Sequence, residues 1–208
     1  MIINNEVELD YDDMLMLPNR SKTASRKNVI LTREFKFYHS PRVLYGIPIF
    51  CANMSSIATI EMAKVMMDHQ MCTALHKFHN LDDLVKLFAA GDINSKIMYC
   101  WYTTGIRKED KEKLEDFVQM SGIVPNIVID VPNGYTDDFV NACSSFREAY
   151  GEAIIMAGNV CTSEMVQELI LHGGVDIVKV GIGPSKICDT RIKTGIGRPM
   201  ISCNLDCS

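Results

Sequence analysis

Asp176-Ile177-Val178-Lys179-Val180 runs directly into Gly181-Ile182-Gly183-Pro184-Ser185-Lys186-Ile187-Cys188-Asp189-Thr190-Arg191, and Lys193-Thr194-Gly195-Ile196-Gly197 follows. The first five residues read as a short buried strand, because a brief β-branched run bounded by glycine suits a parallel sheet. Gly173 and Gly174, just ahead of it, are ordinary helix-stop punctuation. Beyond the strand, a glycine-flanked loop carries one cysteine at its tip, with a hydroxyl and a guanidinium within three residues. The glycines let the backbone take turn conformations closed to other residues. A cysteine beside a cation ionises more readily than its free pKa of about 8.5 would allow. Cys188 is therefore a candidate nucleophile and Thr190 a group able to pass a proton. The competing reading is that Cys188 is an inert apolar filler, one among eight cysteines, as free cysteines commonly are. Its loop position favours function, since working residues gather on loops held by a rigid scaffold.

Working outward, short apolar runs recur at Ile47 to Ala52, Cys72 to His76, Lys96 to Trp101, Asn126 to Val131, Ala153 to Ala157 and Asp176 to Val180. Amphipathic helical patterns lie between them, over Ile60 to Asp68, Leu81 to Ala89, Glu109 to Ser121, Thr136 to Tyr150 and Ser163 to His172. Ser163 is the expected cap of the last. Strand–helix alternation of this kind implies right-handed βαβ units and an α/β fold. Periodicity does not separate an open doubly wound sheet from a barrel.

Composition narrows the class. The 208 residues are 47% hydrophobic and 23% charged, with a net charge of -5, which is globular and gives no electrostatic case for a nucleic-acid partner. No run approaches the ~18 apolar residues of a membrane span. Met1 to Asp13 carries acidic residues and no apolar core segment, so it does not read as a secretory signal. No Cys-x-x-Cys pair occurs, which speaks against zinc. Reduced thiols and a cytoplasmic location are the expectation.

The cysteine loop resembles the active-site loop of the IMP dehydrogenase/GMP reductase family, with Ser185-Lys186 in place of a Gly-Ser pair. Five further stretches resemble the family, in order along the chain: Leu9 to Leu15, Gly46 to Met54, Ala74 to Lys77, Asp130 to Tyr135, and Met156 to Val160. The resemblance implies a (β/α)8 TIM barrel. Counting finds six barrel strands after an N-terminal extension (residues 1–45), so residues 46–208 are expected to form a partial barrel. Strands seven and eight, the phosphate loops and a relay glutamate are then expected to be missing.

The resemblance also implies roles. Cys188 would attack carbon 2 of a purine nucleotide to form a thioimidate, with Thr190 in the proton relay. Asp130, Val131 and Pro132 would meet the nicotinamide end of the cofactor, joined by Lys77, Phe78, Ile182 and Gly183. Pro132 replaces a common alanine and Phe78 a common histidine. Ser25 and Arg26 would reach the cofactor of a neighbouring subunit, an arginine fork suiting the extra phosphate of NADPH. Carbonyls of Gly183, Ser185, Cys188 and Arg191 would hold a monovalent cation, K+, with Lys186 adding positive charge nearby. His76-Lys77 passes through Phe78-His79-Asn80 straight into a helix, without the domain that dehydrogenases insert there. That favours reductive deamination of GMP to IMP, in purine salvage; the resemblance itself implies a homotetramer. The alternatives are an IMP dehydrogenase-like oxidoreductase, or an inactive or split subunit needing a complementing C-terminal chain.

Overall fold

Six parallel strands form one sheet in the computed structural model, which describes residues 6–185 and 187–208. An antiparallel hairpin precedes them, β1 (Arg33–Lys36) and β2 (Val43–Gly46). The sheet then takes β3 (Phe50–Cys51), β4 (Cys72–Leu75), β5 (Cys100–Thr104), β6 (Asn126–Asp130), β7 (Ile155–Val160) and β8 (Ile177–Val180), in that spatial order. Helices α1 (Ile60–Asp68), α2 (Leu81–Ala89), α3 (Ile93–Tyr99), α4 (Lys108–Ser121), α5 (Asp137–Ala149) and α6 (Ser163–Leu171) fill the connections, and α7 (Thr190–Thr194) and α8 (Met200–Asp206) follow β8. This is the α/β architecture of an incomplete barrel: each strand pairs with the next in sequence, and among the described residues β3 and β8 stay unpaired on their outer sides.

The strand period of two sorts side chains into two cores. Leu75, Tyr102, Ile127, Ile129, Ile155 and Val178 face the helices, where Phe88, Phe117, Phe139 and Leu169 meet them. Cys72, Ala74, Trp101, Val128 and Met156 face the other way, and Phe35, Phe37 and Leu44 of the hairpin region pack against them. The hairpin thus fills the base of the inner face. It ends at Gly46, where a side chain would come within 2.5 Å of the Gln70 carbonyl oxygen.

Polar staples hold the same end. The Asp176 carboxylate, fully buried, pairs with Arg147 at 2.5 Å and accepts from the backbone N–H groups of His39, Ser40 and Ile155. Asn126 accepts from Arg42 at 2.9 Å and donates to the Ile97 carbonyl at 2.9 Å.

Three expectations need correction. The apolar run Lys96 to Trp101 is mostly helix, because Asp92 accepts the N–H groups of Asn94 and Ser95 and caps α3; the strand begins only at Cys100. The strand expected from Ile47 shrinks to Phe50–Cys51, since Pro48 has no N–H for the ladder. Thr162, not Ser163, holds the N-cap position of α6, and its side chain makes no capping bond. Asp206 instead accepts the Ser163 N–H at 3.2 Å, so α8 caps α6 from outside.

Candidate active site

One row of three residues crosses the C-terminal end of the sheet. The register pairs Asp130 of β6 with Gly158 of β7, and Gly158 with Lys179 of β8. Neighbouring strands lie ≈ 4.8 Å apart, so the outer two backbones are roughly 10 Å from each other. A Cβ on Gly158 would sit 2.6 Å from the Lys179 Cβ. The absent side chain leaves a lane through which the Lys179 ammonium ion-pairs with Asp130. Asn53, just beyond β3, accepts a second bond from the ammonium at 3.0 Å. Sequence reasoning did not single out Lys179 as a functional residue. Its signal was a lone charge inside a buried strand, which needs a partner.

From the same strand the chain enters the cysteine loop. Gly181 donates its N–H to the Val160 carbonyl at 2.7 Å, and Cys188 donates its own to the Ser185 carbonyl at 2.9 Å. Gly183 has φ +59, and a Cβ there would press on the Thr190 Cβ at 3.3 Å, so glycine is required twice over. Thr190 is not a loop residue but opens α7. Its hydroxyl lies 3.2 Å from the Cys188 sulfur. The thiol is half-exposed. Its pKa falls below the ordinary thiol value, chiefly through hydrogen bonds from the Thr190 hydroxyl and backbone N–H; desolvation and the Asp189 charge oppose this. Burial drives other thiols the opposite way, Cys143 to about 12 and Cys100 to about 11.

Arg191 departs from the expected role. Its charge is the smallest influence on the thiol, because its guanidinium is engaged elsewhere. It pairs with Asp10 at 3.2 Å and donates to the Arg198 carbonyl. Arg198 pairs with Glu8 at 2.8 Å, and the Leu9 carbonyl accepts the Ile201 N–H at 3.1 Å. The acidic stretch Glu8 to Asp13 is therefore a clamp on the segment after Cys188.

The remaining candidates divide. Asp130, Val131, Ile182 and Gly183 share the rim of β6 to β8. Val131 is held by its N–H to the Gly158 carbonyl at 2.9 Å, and Pro132 beside it is exposed. Lys77 and Phe78 follow β4. Lys77 pairs with Asp110 at 3.5 Å and stands 5.7 Å from the exposed Phe78 ring. Lys113 fixes that turn by donating to the Lys77 and His79 carbonyls at 2.8 and 2.7 Å. His76 stacks on His79 at 3.6 Å, and its buried Nδ1 has no partner among the described residues. Burial first, then the nearby His79 and Lys113, lower the His76 pKa. Ser25 caps a short turn over Arg26–Asn28 on an exposed segment. Neither Ser25 nor Arg26 bonds to the rim.

Of the four carbonyls expected to hold a cation, that of Ser185 accepts from Cys188 at 2.9 Å and that of Arg191 accepts from Gly195 at 3.0 Å, and each keeps a second lone pair. Lys186 lies outside the described residues.

A row of parallel strands ending in a glycine-flanked, half-exposed thiol defines a barrel-type α/β protein with a thiol at its rim. The profile described as "IMP dehydrogenase / GMP reductase domain" matches residues 8–208, and the chain belongs to that family. It is 41% identical to the GMP reductase of Vibrio vulnificus (strain YJ016) over 210 residues, covering 100% of this chain and 59% of that protein. Human GMP reductase 1 is 43% identical over 206 residues, covering 99% and 59%. The crystal structure of inosine 5′ monophosphate dehydrogenase from Legionella pneumophila superposes with TM-score 0.79 at 28% identity, over 97% of this chain and 59% of that one. The chain thus spans about three fifths of the relatives it matches. Among the described residues no helix is long and apolar enough to cross a membrane.

Proposed function

We propose that the protein acts as a GMP reductase, converting GMP to IMP and ammonia at the expense of NADPH. The observation that carries this is the half-exposed Cys188 sulfur, 3.2 Å from the Thr190 hydroxyl, at the mouth of β8. The Cys188 thiolate attacks carbon 2 of the guanine and forms a thioimidate. Thr190 relays the proton that lets the amino group leave as ammonia, help worth roughly 10²–10⁴ in rate. Covalent catalysis divides one hard displacement into two easier steps. Bound NADPH would supply the two electrons and the hydrogen that replace the amino group and return the sulfur as thiolate.

The donor types at the rim suit a nicotinamide dinucleotide. The orphaned His76 Nδ1 beside Lys77 is the kind of buried polar atom that a ligand group satisfies. Lys77, Phe78, Asp130, Val131, Pro132, Ile182 and Gly183 would hold the nicotinamide half. Ser25 and Arg26, both exposed, suit contact with the cofactor of another subunit, which requires at least a dimer and is compatible with the homotetramer that the family resemblance implies; the cytoplasm is the compartment proposed. The carbonyls of Gly183, Ser185, Cys188 and Arg191 would hold a K+ ion, the Ser185 and Arg191 oxygens through the lone pair their hydrogen bonds leave free. The short turn from Leu75 to Leu81 leaves no room for an inserted domain and favours the reductase over the dehydrogenase.

A second reading has its own observation: the outer side of β8 is unpaired among the described residues, so turnover would require further strands along that edge, which a complementing polypeptide could supply. A coupled assay tests both. NADPH oxidation dependent on GMP, by the chain alone or after a polypeptide with two further strands is added, is the expected result. NAD reduction with IMP, and none with GMP, overturns the proposal.

A further inference from the structure

Among the described residues, Lys179 alone pairs with Asp130. Lys77 pairs with Asp110 at 3.5 Å, Lys113 serves the Lys77 and His79 carbonyls, and Arg191 serves Asp10. The Lys179 ammonium takes Oδ1 of the Asp130 carboxylate. Oδ2 accepts no hydrogen bond among the described residues and is not buried. One oxygen is fixed and the other is open.

The backbone that follows Asp130 is fastened separately, from β7. Val131 donates to the Gly158 carbonyl at 2.9 Å, and the Asn159 N–H donates to the Val131 carbonyl at 3.1 Å. The Asn159 side-chain amide donates to that same carbonyl at 3.1 Å. A fixed backbone does not aim the carboxylate, because the terminal torsion of an aspartate is broad and roughly two-fold. The aim comes from Lys179, and Asn53 limits the freedom of that lysine by accepting from it at 3.0 Å. The arrangement requires glycine inside β7, since a Cβ on Gly158 would lie 2.6 Å from that of Lys179. Glycine weakens a strand interior, and an ion pair open to solvent adds little stability. Stability therefore does not account for the trio. We propose that Lys179 is a positioning residue for the reductase reaction: held by Asn53, it orients the Asp130 carboxylate so that Oδ2 meets a donor group at the nicotinamide end of the bound dinucleotide. This rests on the activity proposed above, and Lys179 acts on the cofactor through Asp130 rather than by touching it. A carboxylate oriented in advance loses less freedom when the ligand arrives, which raises affinity.

Calorimetric titration of the full chain with NADPH, alone or with the polypeptide of two further strands, tests it. Lys179→Met is expected to weaken binding about three- to tenfold, the range for ordering one side chain on association. Asp130→Asn is expected to weaken it about tenfold or more, through loss of a charge-assisted hydrogen bond. Adding Lys179→Met to Asp130→Asn should then weaken binding less than about twofold further, because both changes act through one carboxylate. Lys179→Arg keeps a cation and is expected to restore most of the affinity. Ligand-free crystal structures give a second readout: in Lys179→Met the Asp130 carboxylate is expected to leave its wild-type orientation. Wild-type affinity in Lys179→Met, an undiminished loss in the Asp130→Asn background, no rescue by Lys179→Arg, or an unmoved carboxylate overturns the inference and leaves the activity standing. No NADPH binding by the wild type in either form overturns the activity, and this inference with it. Should Lys179→Met fail to fold, Asn53→Ala decides by the same titration: weaker binding supports the inference, and unchanged binding overturns it.

Discussion

Two ion pairs sit at opposite ends of the β8 region and are built differently. At the base, Asp176 is fully buried, with the Arg147 guanidinium at 2.5 Å and three backbone N–H groups around it. At the rim, Lys179 and Asp130 are 24% and 30% exposed, and Asn53 is the one further hydrogen-bond partner of the ammonium among the described residues. The first pair has every lone pair spoken for and ties the hairpin region to the sheet. The second leaves Asp130 capacity for another donor, where the cysteine loop begins. In barrels of this kind the N-terminal end of the strands serves stability and the C-terminal end chemistry. The two pairs show that division within a few residues of one another.

The largest effect that would break the comparison is at the base. Asp176→Ala leaves Arg147 buried without its partner and is expected to cost about 3–5 kcal/mol, read by urea denaturation; a loss as small as that at the rim would erase the distinction. At the rim, Lys179→Met is expected to cost only about 1–2 kcal/mol. A double-mutant cycle with Asp130→Asn should recover most of that as coupling, and an additive cycle would mean the pair is not formed.

Smaller effects sharpen the picture at the thiol. Cys188 is expected to react with iodoacetamide well before Cys143 and Cys100, whose thiols burial holds at about 12 and about 11. Thr190→Val should slow that labelling by raising the Cys188 pKa, because the threonine hydroxyl is the main cause of its lowering. Peptide mapping at several pH values gives both answers.

The smallest effect concerns pH. His76 has a lowered pKa when folded, so below its ordinary value of about 6.5 the unfolded chain takes up the proton first. Its contribution is therefore lost as pH falls through 6.5 towards the folded value, and His76→Asn should flatten that part of a stability–pH curve.

Much of the helical framework was legible in the chain itself. The periodicity over Ile60 to Asp68 and Leu81 to Ala89 returns as α1 and α2 with the same ends, since a cap at Thr59 or Asn80 and an apolar stripe are local properties. Lys96 to Trp101 misled because an apolar run does not declare its period, and Asp92 settled it as helix. The five-residue α7 carried no pattern long enough to read. At the site, Cys188 and Thr190 were visible as neighbours in sequence. Lys179 was not, because its partners Asp130 and Asn53 lie 49 and 126 positions away.

By itself, the sequence determined the strand–helix order, the glycines that shape the loop after Val180 and the thiol–hydroxyl pair within it. Each depends on residues a few positions apart, whose geometry the backbone dictates. Only the tertiary structure decided that Arg191 serves the Glu8 to Asp13 clamp rather than the thiol, and that Gly158 opens a lane for Lys179. Those outcomes turn on which distant charges strand register and helix packing bring within a few ångströms, and Coulombic and hydrogen-bond partners are chosen by distance in space, not along the chain.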